Sequence, residues 1–402
     1  MSDLPFASGG PLGDLMRDLA RLLTQQGPLN WEVAGQLAAW TASEGQVEPN
    51  PNPLSRIRTE ELLRVAEMHV GEATGLVTSR RGWLSPRPVT RSQWASVMLR
   101  AWKEPLSAVA TSLGGPGGGA VASASAGTGQ QKGQQDEVAS PMSDLLGNLP
   151  QVVMPLVFGA QVGTMVGQLA RRAMGQYDVP MPAPQGDELL AVPANVDEFS
   201  NEWGLDADDA RMYVCLRDVA FHVVLSRPHV SAFLQDHLQR YASAFAVETD
   251  IIEQRLVGLD PSDPGSFQRA LGDPESLLAE MQTEQQKRLL VPLRALLSVV
   301  SGYTDFIVDK VGRRLVGSYP LVSEAFRRRR LEAKTGERLL AKLLGVEVDQ
   351  AVVDRGQAFV EGVLERAGDA PLASLWARPE LLPTPAEVEA PGLWLARTEL
   401  LG

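Results

Sequence analysis

The 402 residues include a single cysteine, Cys215. No intramolecular disulfide can form and no cysteine-rich metal cluster exists, which suits a reducing compartment; a cytoplasmic location is expected. Positive charge is also short, with 37 Lys and Arg against 49 Asp and Glu, a net charge of −12. Duplex affinity is mostly cationic contact with phosphates, so this balance argues against a general nucleic-acid binder. Histidine is limited to His69, His222, His229 and His237. The opening residues, MSDLPFASGG, lack a basic segment followed by an apolar run, and no signal peptide is expected. Few stretches alternate apolar and polar residues with period two, which makes strands a minor component.

What is present is an ordinary globular composition, 44% hydrophobic and 21% charged, long enough to bury a large core. The expected fold is mainly α in three regions: a helical region over 1–112, a flexible linker over 113–140 and a helical domain over 141–402. In the first, Asn30 is placed to cap a helix with Glu32 in its first turn. Trp31, Trp40, Trp94 and Trp102 recur at spacings that suit helix packing, whereas Trp83 sits among Gly82, Pro86 and Pro88 in a loop. The linker is rich in Gly, Ala, Ser and Gln and cannot bury enough apolar surface to order itself. It also lacks the preceding strand and the G-K-[ST] of a phosphate loop. Residues 146–170 carry no charge and space Gly159, Gly163 and Gly167 four apart, a ladder that lets another helix approach closely in water or in lipid. Pro150, Pro155 and several amides favour a buried hairpin broken near the prolines over a membrane span. Residues 371–402 read as loop with tryptophan anchors.

Asp206 is placed to cap a helix running to Leu225, with Asp208 and Asp209 in its first turn. Inside it stand Arg217, Asp218, Val219, Ala220 and Phe221, where the active-site helix of a zinc peptidase carries H-E-x-x-H. Arginine cannot lose its proton to become a ligand, and a phenyl ring has no lone pair. The surroundings carry the comparison: Gly27-Pro28-Leu29-Asn30-Trp31, then Gly175-Gln176-Tyr177-Asp178-Val179-Pro180, then Pro193, Asn195, Val196 and Phe199. Further on come Phe326 with four arginines, Leu344-Gly345, Leu381-Leu382-Pro383-Thr384, Trp394 and Arg397. In this order and spacing the chain resembles the zincin-like metallopeptidase type 2 family of actinobacteria, whose members are labelled hydrolases or zinc-dependent metalloproteases.

The resemblance implies a zincin-like helical architecture, a zinc cofactor, and a third ligand, a glutamate, in a pattern like L-L-E-G-x-x-D. The matching stretch is Val299-Val300-Ser301-Gly302-Tyr303-Thr304-Asp305, with Ser301 at the glutamate position. Arg217, Phe221 and Ser301 thus replace three ligands, and Asp218 is a shortened general base. Four changes at one centre point to a lost site, so Arg217, Asp218, Phe221 and Ser301 are expected to be vestigial. The chain is then expected to be a non-catalytic binding or scaffold protein with no cofactor and an unidentified protein or peptide partner. The alternative is a zinc-dependent hydrolase with relocated ligands at Asp218, His222 and His229. Arg217 is expected to stand in for the metal by pairing with Asp305 or Asp309.

Other chemistry is weaker. Cys215 and His222 are seven residues apart, about 10 Å along a helix, too far for a nucleophile–base hydrogen bond, and no G-x-S-x-G elbow is present. Arg327, Arg328, Arg329 and Arg330, with Lys334, Arg338 and Lys342, form the one basic run. Four successive helical residues point in all directions, so some are expected to pair inside the fold and others to stay solvated. An anionic-partner patch is the sharper alternative.

Overall fold

The computed structural model describes residues 27–114, 141–184, 186–245, 282–332 and 335–401. It is mainly α. The helices are α1 (Trp31–Ser43), α2 (Pro53–Thr74), α3 (Arg91–Ala101), α4 (Lys103–Gly114), α5 (Pro141–Ala170), α6 (Pro193–Trp203), α7 (Ala207–Leu225) and α8 (Pro228–Ala242). They continue as α9 (Glu284–Leu315), α10 (Tyr319–Leu331), α11 (Thr335–Leu344), α12 (Gln350–Ala367), α13 (Ala370–Ser374), α14 (Pro385–Glu389) and α15 (Pro391–Glu399). Two short strands, β1 (Ser85–Pro88) and β2 (Glu188–Ala191), pair in parallel, Ser85 opposite Glu188. The expected linker lies almost wholly outside the described residues.

Local signals set the helix starts. The Asn30 side chain accepts from Val33 N at the head of α1, and Asp206 accepts from Asp208 N and Asp209 N at the head of α7. Thr90 with Gln93 and Thr283 with Gln286 form capping boxes on α3 and α9. The glycine ladder of α5 lies on α1. A Cβ on Gly159 would stand 2.5 Å from Asn30 O, and one on Gly163 would stand 2.4 Å from Ala34 O. Residues 141–170 form one continuous helix rather than the expected hairpin, running through both prolines. A helical φ suits proline, which forfeits one backbone hydrogen bond; the close seam with α1 supplies packing in exchange.

The helix α7 runs through the centre, packed by α2, α6, α9 and α10. From Met212 to Leu225 every residue is buried except Arg217, as expected of a helix apolar nearly all round. Trp94 and Trp102 are wholly buried and meet edge to face with ring centres 6.1 Å apart, whereas Trp40 is 63% exposed, against the packing expected of it. Residues 371–401 are short helices rather than loop. Trp376 and Trp394 are buried there, and Trp394 Nε1 donates to Leu381 O. Among the described residues α9 is long and apolar enough to cross a membrane, and 72% of its apolar window is buried within the fold.

Candidate functional site

The site expected from sequence is built on α7 and the segment that follows α5. Two tryptophans of the first helical region hold that segment: Trp94 Nε1 donates to Gly175 O at 2.8 Å and Trp102 Nε1 to Pro182 O at 3.1 Å. Four consecutive amides then point at two carboxylates. Met174 N and Gly175 N donate to Asp178, while Gln176 N and Tyr177 N donate to Asp218 at 2.8 and 3.3 Å. Such closeness needs glycine at 175, where a Cβ would stand 1.8 Å from Asp218 Oδ2.

Asp178 is the centre of the charge arrangement. Arg217 Nη1 lies 3.1 Å from its Oδ1, and Arg329 Nη1 lies 3.6 Å from the same oxygen. Burial alone would raise the Asp178 pKa, but Arg329, Arg217 and the two amides outweigh it and hold the carboxyl below the usual range. The Arg217 guanidinium also lies over the Phe221 ring, 5.0 Å from its centre. A fixed cation does stand beside the expected centre, but its partner corrects the expectation from sequence. Asp305 is instead held bidentately by Arg330, and Asp309 pairs with Arg313. The carboxylate for Arg217 comes from a loop, beyond the reach of a helix-register argument.

Asp218 is buried, and burial together with the Asp178 charge pushes its pKa up to about 7. His222, one turn on, is buried too; its Nδ1 lies 2.9 Å from Tyr177 Oη, and burial lowers its pKa to about 4. Tyr177 stacks on Phe221 with ring centres 6.3 Å apart. Ser301 is buried on α9. His229, at the head of α8, has a buried Nε2 without a hydrogen-bond partner. Among the described residues no three His, Cys, Asp or Glu side chains gather closely enough to hold a metal, so Asp218, His222 and His229 are not brought together as a ligand set. Burial pushes the Cys215 thiol up to about 12, as befits an inert core thiol.

The basic run divides as its helical spacing requires. Arg327 and Arg328 both pair with Glu324 at the surface, Arg329 turns in to Asp178, and Arg330 to Asp305. Sequence reasoning missed Asp178, Arg329 and Tyr177 as site residues. The Gly175-Gln176-Tyr177-Asp178 motif was the signal for Tyr177 and Asp178, and the run of four arginines was the signal for Arg329.

These titrations have opposed signs. The folded pKa of Asp218 lies above its ordinary 3.8, so its contribution to stability falls as pH rises from about 4 to about 7. The folded pKa of His222 lies below its ordinary 6.5, so its contribution rises over about 4 to 6.5. The two slopes offset each other in the native chain. His222→Gln should leave the Asp218 slope exposed, with stability falling by at least about 2 kcal/mol between pH 4.5 and 6.5. Urea midpoints across that range check it, and parallel profiles for the two proteins would refute it.

The sequence model of the zincin-like metallopeptidase family matches residues 29–395. This chain belongs to that family. One solved structure shares the fold of this zincin-like protein, a chain from Chloroflexus aurantiacus described as a "putative hydrolase with a novel fold". It is 19% identical, with a TM-score of 0.63, and the alignment covers 92% of this chain and 99% of that one. No curated protein matches. The family name implies zinc, but the residues at the expected zinc positions do not fit the metal. Arg217 has no free lone pair and is engaged by Asp178, and Phe221 presents an apolar ring between Tyr177 and Arg217.

Proposed function

We propose that this zincin-like protein is a pseudo-metallopeptidase, a non-catalytic binding or scaffold protein of the cytoplasm with a protein or peptide partner. The observation that carries this reading is the Arg217–Asp178 pair, braced by Arg329. A fixed cation there ties α7, the loop after α5 and α10 together by salt bridges, the joining role that a metal and its ligands fill in a metal site. Asp218, the shortened general base, accepts two backbone hydrogen bonds and serves as a staple between loop and helix. A base for hydrolysis has to reach a water poised against substrate.

Metal content tests the proposal. Protein purified without a histidine tag or chelators is expected to carry less than about a tenth of an equivalent of zinc by mass spectrometry, against near-stoichiometric metal for a built site. Near one equivalent, lost in His222→Ala, would overturn it in favour of a hydrolase with relocated ligands around Asp218, His222 and His229.

A further inference from the structure

One turn beyond the vestigial positions, a cavity of about 360 Å³ opens between the end of α7, the start of α8, and the segments at residues 77–80, 182–184 and 186–187. The size suits a small ligand or a terminal residue. Its basic side chains are Arg80 and Arg227, and neither has a carboxylate within ion-pair distance among the described residues. In a second cavity, of about 460 Å³, Arg91, Arg171 and Arg172 pair with Glu198, Glu44 and Glu337. Among the described residues Arg227 is pinned by carbonyls alone, its Nε donating to Val223 O at 3.0 Å and its Nη2 to Val77 O at 2.9 Å, and its Nη1 hydrogens have no partner. Asp187 is the acid in the wall, and both of its oxygens are already taken by the backbone amides of Arg80 and Arg81, each at 2.8 Å.

One more donor faces the same space. His222 lines the cavity although only 4% of it is exposed. Its Nδ1 is engaged by Tyr177 Oη, whose hydroxyl can donate to it; the neutral ring then carries its hydrogen on Nε2, which has no hydrogen-bond partner among the described residues. On that edge of the ring the N–H can donate to an acceptor seated in the cavity. Asp187, Arg80 and Arg227 all act on His222 electrostatically, the acid ahead of the two cations, and all four groups line the one cavity. Leu225 and Leu234 give that volume an apolar wall.

We propose that this cavity binds a carboxylate carried on an apolar group, its oxygens received by Arg227, Arg80 and His222 Nε2 and its apolar part seated on Leu225 and Leu234. Such a group is presented by a small organic acid or by the C-terminal residue of a peptide. The proposal names the ligand class for the binding protein inferred above. It fails separately from that reading, because acid binding and zinc content are independent readouts and either can fail while the other holds.

The test is calorimetric titration of the full chain with N-acetyl-leucine and N-acetyl-phenylalanine, with their C-terminal amides, and with inorganic phosphate. At least one acid is expected to bind with a dissociation constant on the order of 1 mM, the range for a ligand of this size. Its amide should bind at least about tenfold more weakly, since it cannot meet the cations as an anion. Arg80→Gln, at an exposed position, should cost severalfold in acid affinity with an unchanged melting temperature, and Arg227→Gln should cost more. Short leucine-terminated peptides then identify the source: binding equal to the acid assigns peptide C-termini, and exclusion assigns free acids. Equal binding of acid and amide, tighter binding of phosphate, or no binding by either acid would overturn the proposal.

Discussion

Gly175→Ala is expected to destabilise the protein by about 3–5 kcal/mol, combining overpacking with the loss of hydrogen bonds to a buried carboxyl. The added methyl would fall 1.8 Å from Asp218 Oδ2 and 2.5 Å from its Cγ. Asp218 cannot simply swing away, because Gln176 N and Tyr177 N hold its two oxygens and the wall around it is core. Moving the loop instead would break the Trp94 Nε1 bond to Gly175 O and the Gly175 N bond to Asp178. Gly35→Ala is the matched control. Gly35 lies inside α1 with nothing within 4 Å of the new carbon, so it should gain up to about 1 kcal/mol from helix propensity. Melting temperatures of the two variants should move in opposite directions, and a Gly175→Ala protein as stable as the parent would show that the loop does not clamp α7.

Asp178→Asn is expected to cost a comparable amount, about 3–5 kcal/mol, the usual penalty for unpairing buried charge. The asparagine keeps the shape and removes the one anion shared by Arg217 and Arg329, leaving two guanidinium groups facing each other with side chains 16% and 17% exposed. Arg217→Ala should cost less, because Asp178 keeps Arg329 and two amides. The two substitutions touch one network and should combine with less than additive cost in a double-mutant cycle. Asp178 also supplies an acid-side signature. Its folded pKa is depressed, so its contribution is present above the ordinary carboxylate value and lost as pH falls through the folded one. The asparagine variant should lack that acid-side loss. Urea midpoints near pH 7 that match the parent would remove Asp178 from the structural account and take the main support from the pseudo-peptidase proposal.

The sequence by itself determined the helical class, the caps at Asn30 and Asp206 and the close seam at Gly159 and Gly163. Each follows from local chemistry or from a period of 3.6, which neighbouring residues carry between them. It also determined that Arg217 and Phe221 cannot serve as zinc ligands, since that follows from side-chain chemistry alone. Which carboxylate answers Arg217 was a tertiary decision. Asp305 and Asp309 looked available along α9, yet Arg330 and Arg313 take them, and Asp178 arrives from a loop 39 residues upstream. The cavity beyond His222 was decided in the same way. Its cations, Arg80 and Arg227, are 147 positions apart in the chain (227 − 80), and no local pattern records that the folded loops leave both without a carboxylate. Charge pairing across such separations depends on where packing places the backbone, and one-dimensional spacing does not carry that information.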